Sequence, residues 1–195
     1  MTAVPKTRLT PEQYLAIERK AEHKSEFYDG EVFAMAGATF PHNRVKENLS
    51  VLIGTQIKGG PCQSLSSDMR VKVSRTGLYT YPDIVIVCGN PELEDEHLDT
   101  LLNPQVVIEV LSESTANYCR TKKYRHYQPI GSLREYILVE QDEPVFEQYA
   151  RQPTGAWART DVEGLDQEFA FATVPVRVRL ADVYAGVTFP ASDGR

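Results

Sequence analysis

The chain has 195 residues, enough for one domain with a substantial core. Hydrophobic residues make up 42% of it and charged residues 25%, which excludes disordered, fibrous and collagen-like classes. With 21 Lys and Arg against 27 Asp and Glu, the net charge is -6, so a grip on nucleic acid over the whole surface is not expected and only a local basic patch could provide one.

In chain order, Met1–Thr10 carries no apolar segment that could act as a secretory signal. Thr10-Pro11-Glu12-Gln13 reads as a capping box with proline at the first helical position, and predicts a helix to about Lys24. Glu26–Phe33 predicts a hairpin turning at Asp29-Gly30. A second helix should begin near Pro41, because Val45, Leu49, Leu52, Ile53 and Ile57 recur at helical spacing, and Gly59-Gly60 should end it. Met69–Val73 and Tyr79–Cys88 read as strands, and Asn90–Asn103 as an acidic surface loop. Gln105–Leu111 is a strand apolar on both faces, the kind found in a sheet covered by helices. Ser114–Gln128 predicts a helix stopped by Pro129, and Tyr136–Val139 a short buried strand.

Further on, Pro144–Arg151, Ala156–Val162 and Val176–Leu180 alternate like half-exposed antiparallel strands, with a turn at Thr154-Gly155 and a short last helix at Ala181–Val187. This order predicts an α/β (α+β) fold: a mixed central sheet flanked by helices, in a single domain over 1–195. Its core spans about 9–140, and an antiparallel extension about 144–187. The longest apolar runs, such as Ile84–Cys88, are far too short for a membrane span, and mean hydropathy is -0.35. Three widely spaced cysteines, Cys62, Cys88 and Cys119, fit neither a disulfide framework nor a cysteine-rich zinc site, so a reducing cytoplasmic setting is expected.

Two acids stand where the pattern expects apolar residues. Glu109 lies inside Val106–Leu111, and Asp83 opens the run Ile84–Cys88 directly after Pro82. An isolated ionised carboxylate in a doubly covered strand costs several kcal/mol, so such groups neutralise, pair with a cation or hold a metal. Either Asp83 caps a strand start while Glu109 pairs with an arginine or lysine, or both share a cation. Carboxylates without a His or Cys cluster favour a hard cation such as magnesium, with manganese as a substitute. Arg120, Lys122, Lys123 and Arg125 follow on the next predicted helix; they are either a solvated face or the source of a lysine at the metal's edge.

These residues carry a resemblance. Tyr81–Ile86, Pro104–Thr115, Arg120–Tyr124 and Leu133–Val139, in this order and spacing, resemble the Uma-type endonuclease family of the restriction-endonuclease-like, PD-(D/E)xK, superfamily. The likeness spans about Leu9 to Tyr184. It implies a divalent-metal nuclease acting on nucleic acid, with double-stranded DNA as the expected partner. Asp83 and Glu109 match the motif acids, and the Val110 carbonyl a further metal ligand. The superfamily's plain motif has lysine two residues after the acid, where this chain has Leu111. In this family the lysine moves to the following helix, where Lys123 matches and Lys122 is its neighbour. Glu26 matches an acid that approaches the site from the N-terminal region, and His42 matches a histidine of unassigned role. Cys119 replaces the aspartate that often precedes the helix arginine.

The expected reaction is magnesium-dependent hydrolysis of a phosphodiester by Asp83, Glu109, Lys123 and Glu26. The alternative is an inactive nucleic-acid-binding or interaction domain that keeps the fold. Asp68 and Arg70 could support the site or pair with each other. Arg70, Lys72 and Arg75 on one strand, with Arg120–Arg125, could form a DNA-facing basic surface. A twofold homodimer would double that surface, with the antiparallel tail as its candidate interface.

Overall fold

The computed structural model describes residues 8–190, so most of the N-terminal stretch read for a signal lies outside the described residues. Helix α1 (Pro11–Glu18) starts on the full capping box, with Thr10 accepting from the Gln13 amide and the Gln13 side chain accepting from the Thr10 amide. It is shorter than the sequence predicts. The Glu18 carboxylate accepts from the Ser25 amide at 2.9 Å, drawing the next strand back across the helix end. Strands β1 (Ser25–Tyr28) and β2 (Glu31–Ala34) form the predicted hairpin, with Asp29 at φ 48° and Gly30 at φ 79°. Only glycine fits at position 30, since a Cβ there would meet Arg8 Cβ at 2.5 Å.

Helix α2 (Phe40–Ile57) follows, capped by Thr39 and burying Val45, Leu49, Ile53 and Ile57 along one stripe. Strand β3 (Cys62–Ser66) has too little apolar character to be seen in the sequence. Strand β4 (Arg70–Val73) lies close to its expected place. The predicted strand Tyr79–Cys88 is two strands, β5 (Leu78–Thr80) and β6 (Ile84–Cys88), in different sheets. Pro82 cannot donate to a ladder, so the chain changes sheets there. The acidic loop contains β7 (Thr100–Leu101), which pairs parallel with β4. Strand β8 (Val106–Leu111) is wholly buried.

The predicted helix after it has three parts: an α turn (α3, Ala116–Tyr118), a π-helical stretch (Cys119–Lys123) and a second α turn (α4, Tyr124–Tyr127). Strands β9 (Glu135–Glu140), β10 (Val145–Arg151), β11 (Trp157–Glu163), β12 (Glu168–Ala170) and β13 (Arg177–Arg179) and the short helix α5 (Leu180–Val183) complete the fold.

The main sheet has strand order β11-β10-β9-β8-β6-β3, mixed because β8 and β9 run parallel while the other pairs are antiparallel. The tail strands β10 and β11 therefore extend this sheet. A second sheet has order β2-β1-β5-β4-β7, and β12 and β13 form a separate pair. Alternation along β8 divides the core. Val106, Ile108 and Val110 pack with α2 and the β12–β13 pair. Val107 and Leu111 pack with Cys119, Tyr127 and the β4, β5 and β7 residues Val71, Val73, Leu78 and Leu101. The main sheet is thus covered on both faces, as its apolar strands require. No helix among the described residues is long and apolar enough to cross a membrane.

The cysteines correct the sequence reading. Cys62 and Cys88 face each other in the β3–β6 register and form a disulfide, with Cα atoms 3.9 Å apart. The pairing was hidden because β3 itself was not apparent. Among the described residues Cys119 is the free cysteine, and it is buried.

Candidate active site

Antiparallel pairing of β6 with β8 matches Ile84 to Ile108 and Val85 to Val107. Carrying that register one residue further sets Asp83 opposite Glu109. The Asp83 carboxylate is fixed from β8, since its Oδ2 accepts from the Val110 amide at 2.8 Å. By alternation the Glu109 side chain points away from α2, toward the helical stretch 116–127.

There it meets Lys123. Lys123 Nζ lies 2.8 Å from Glu109 Oε1 and 3.1 Å from Glu26 Oε1, so one ammonium ties the main sheet to β1 of the second sheet. Glu109 is 4% exposed and Lys123 5%. Lys122, the neighbouring candidate, is exposed. Three hydroxyls close the cluster. The Tyr127 O–H donates to Glu109 Oε1 at 3.0 Å, the Tyr118 O–H to Glu26 Oε2 at 3.3 Å, and the Thr80 hydroxyl to Glu26 Oε1. The sequence reading assigned no role to these hydroxyls. Tyr127 carried one signal, its position four residues after Lys123 and so on the same helix face.

The electrostatics follow from a shortage of cations. Burial pushes Glu109 up to about 7, opposed by Lys123 but reinforced by the negative charges of Asp83 and Glu26. Burial acts to lower the Lys123 pKa, yet Glu109, Tyr127 and Glu26 outweigh it and hold the lysine well above its ordinary value. Glu26 is half-buried, which acts to raise it, but Lys123 and the hydroxyls that donate to it bring it below the usual carboxylate range.

His42, in the first turn of α2, approaches from the other side. Its Nε2 is 3.4 Å from Asp83 Oδ2. Burial would lower its pKa, but Asp83 and the Val110 carbonyl raise it on balance. Lys46, one turn further along α2, acts on the same imidazole.

The donor set is two carboxylates on adjacent strands and a backbone carbonyl. That fits a hard divalent cation held by one or two protein carboxylates with waters completing its shell. Among the described residues no group of three or more His, Cys, Asp or Glu side chains is placed to hold a metal ion.

Other candidates lie elsewhere. Asp68 and Arg70 do not pair with each other. Asp68 is exposed and bonded to Lys24, while Arg70 is buried with its Nε donating to the Tyr81 oxygen at 2.9 Å and its guanidinium 3.6 Å from Asp99. The expected basic surface is also corrected. Arg70 is internal, Lys72 is bonded to Glu94, and Arg120 is bonded to Glu140 and Glu147, leaving Arg75, Lys122 and Arg125 as the exposed cations of that set. Cys119 is buried in place of an acid, and Arg120 draws its acids from β9 and β10 instead. His23 and His97 are exposed, and His126 packs edge-on against Tyr28.

Residues 11–181 match the family model Uma2, described as "Putative restriction endonuclease". The chain belongs to the Uma2 family. It is 33% identical to the uncharacterized protein sll1609 of Synechocystis sp. over 168 residues, covering 86% of this chain and 95% of that protein. It is 29% identical to the uncharacterized protein slr1290 of the same organism, covering 96% and 97%. A crystal structure described as "a putative nuclease belonging to DUF820" from Anabaena variabilis superposes with a TM-score of 0.73 at 18% identity, covering 90% of this chain and 97% of that one. This Uma2 chain therefore shares the mixed α/β fold of that structure.

Proposed function

We propose that this Uma2 protein is a divalent-metal-dependent endonuclease that hydrolyses phosphodiester bonds of double-stranded DNA. The observation that carries the reading is the buried Glu109–Lys123 pair at 2.8 Å beside the strand position that Asp83 faces. Two further buried or half-buried carboxylates, Asp83 and Glu26, give this pocket more negative charge than Lys123 balances, and burial keeps bulk water from screening it.

In this reading Asp83, Glu109 and the Val110 carbonyl hold magnesium, with manganese as a substitute. When bound, the ion polarises a phosphoryl oxygen and lowers the pKa of a water. The chain's own groups do the positioning. Lys123 stays protonated, directs the attacking water and meets the charge that develops on the phosphorus oxygens. Glu26 anchors Lys123 from the second sheet, and Tyr127 fixes the Glu109 oxygen that faces the lysine. The whole chain, 1–195, acts as a single nuclease domain. A homodimer would present two such sites to opposite strands. We assign the protein to the cytoplasm on its substrate alone, because the Cys62–Cys88 disulfide removes the argument from cysteine usage.

The test is plasmid cleavage in magnesium by wild type, Asp83→Ala and Lys123→Ala, each first shown to be folded. Cleavage by wild type alone supports the assignment. Equal cleavage by all three removes it. A wild type that binds DNA without cutting and ignores the metal favours the inactive binding domain.

A further inference from the structure

We propose that Arg134 and Arg151 form a second binding site, separate from the Lys123 cluster, which takes a dianionic phosphate group. The inference needs no metal and stands apart from the nuclease reading.

The sheet brings the two arginines together. Strand β10 pairs with β9 so that Ala150 faces Glu135. One residue further along that register Arg151 faces Arg134, and the Arg151 amide donates to the Arg134 carbonyl at 2.8 Å. Residues directly opposite on antiparallel strands have neighbouring side chains on one face. Both guanidinium groups accordingly reach the same loop beyond α4. Arg134 Nη1 donates to the Gly131 carbonyl at 2.8 Å, and Arg151 Nη1 to the adjacent Ile130 carbonyl at 3.1 Å. The Arg151 guanidinium also lies 5.6 Å from the centre of the Trp157 ring. A cavity of about 480 Å³ opens there, lined by Arg134, Arg151, Gln152, Pro153 and Gly155, with no acid in its wall.

Charge singles out this pair. Like charges facing each other across a strand pair are destabilising. Arg19, Arg120, Arg159, Arg177 and Arg179 each hold a carboxylate. Among the described residues Arg134 and Arg151 have no such partner, and their hydrogen bonds go to backbone carbonyls. Those bonds leave the Nε of both arginines and the Nη2 of Arg134 to a ligand. A carboxylate offers two oxygens in one plane and suits one guanidinium fork, whereas a tetrahedral phosphate offers oxygens to two forks at once. Two guanidinium charges also match a phosphate monoester, which carries about −1.5 to −2 at pH 7. The site is well removed from the acids of the other cluster. Leu138 lies level with Glu109 in the β8–β9 register, and Arg134 is four residues before it, about 13 Å along the strand.

The experiment is calorimetric titration of inorganic phosphate into wild type, Arg134→Gln, Arg151→Gln and the control Arg75→Gln, in EDTA at constant ionic strength, with urea unfolding of each in phosphate and in chloride. Wild type and the control should bind phosphate saturably, and each site variant should bind it about tenfold or more weakly. Phosphate should raise the urea midpoint of wild type more than that of the site variants; the comparison between variants removes its general stabilising effect. Two further probes identify the source of the phosphate: a nucleoside 5′-monophosphate, and a short duplex with either 5′-phosphate or 5′-hydroxyl ends. Tighter binding of the phosphorylated duplex, lost in Arg151→Gln, assigns the site to a DNA end. Equal binding of the two duplexes, with inorganic phosphate or the mononucleotide still bound, assigns it to a small free phosphate. A wild type that binds neither inorganic phosphate nor the mononucleotide, and does not distinguish the two duplexes, overturns the proposal even if a variant does not fold. Binding left unchanged by both site substitutions overturns it as well, and both results leave the nuclease reading standing.

Discussion

Two of the buried ionic clusters among the described residues differ in how their charges close. One joins Arg70, Tyr81, Glu18 and Ser25. Tyr81 accepts from Arg70 at 2.9 Å and donates to Glu18 at 2.9 Å, Glu18 also accepts from the Ser25 amide, and Arg70 donates on to Thr100 at 3.0 Å. At its rim Arg19 bonds Asp99 and Asp95. Its buried members, Arg70 and Glu18, are matched one to one with neutral hydroxyls between them, and the further carboxylates, Asp95 and Asp99, lie at the half-exposed rim. The other cluster sets Glu26, Glu109 and Asp83 against Lys123 and a histidine. Burial is common to both, so burial alone does not mark a site. The surplus of carboxylates does, because a buried excess charge must be protonated, be met by several hydrogen-bond donors as Glu135 is, or be joined by a cation.

The comparison is broken most severely by removing the one lysine. Lys123→Met leaves Glu109 and Glu26 facing each other without their ammonium, and the expected loss is about 3–5 kcal/mol in metal-free buffer, read by urea unfolding. Added Mn2+ should recover more of that stability than it adds to wild type, since the pocket has become more negative. A loss no larger than that of a surface lysine would mean the cluster is not desolvated as described.

The closed cluster makes the opposite prediction. Tyr81→Phe removes the hydroxyl between Arg70 and Glu18, and should cost about 1–3 kcal/mol of stability while Mn2+ binding by the folded protein persists. If that variant lost its cation affinity in step with its stability, the two clusters would be a single unit. A smaller effect is expected at the start of α1, which carries Tyr14 and Glu18 into the closed cluster. Thr10→Ala breaks the capping box and should cost about 1 kcal/mol, measured by the same unfolding, with no change at the Lys123 cluster.

Much of the open cluster was legible in the sequence for one reason: Asp83 and Glu109 interrupt apolar strands, and an acid in such a place needs a partner. Lys123 was singled out from Lys122 by the family resemblance rather than by spacing, and the structure buries the first and exposes the second. What could not be read depends on contacts between distant segments. Lys72 looked free because its acid, Glu94, lies across a loop, and Arg70 looked like a surface cation because Tyr81 and Thr100 enclose it from other strands. The sheet change at Pro82 was written in the residue itself, but the apolar run after it invited one continuous strand. Strand β3, and the disulfide with it, carried no alternation strong enough to see.

The smallest predicted effect is the pH dependence at the rim of the closed cluster. Hydrogen bonds from Arg19 come first in holding Asp99 down at about 2, against burial and with help from the Arg70 charge. In the unfolded chain the same carboxyl titrates near 3.8. Across that window, as pH falls, the unfolded chain takes up a proton that the folded protein still refuses. Stability from this pair is therefore fully present above pH 3.8 and is lost as pH falls through about 2. The pair is partly open to solvent, which screens it and keeps its contribution modest. Asp99→Asn should be less stable than wild type at pH 5, and the gap in urea midpoint should narrow steadily between pH 4 and pH 2. A gap that stays constant across that range would show that Arg19 contributes to Asp99 through shape rather than charge, and the closed cluster would then be matched by packing alone.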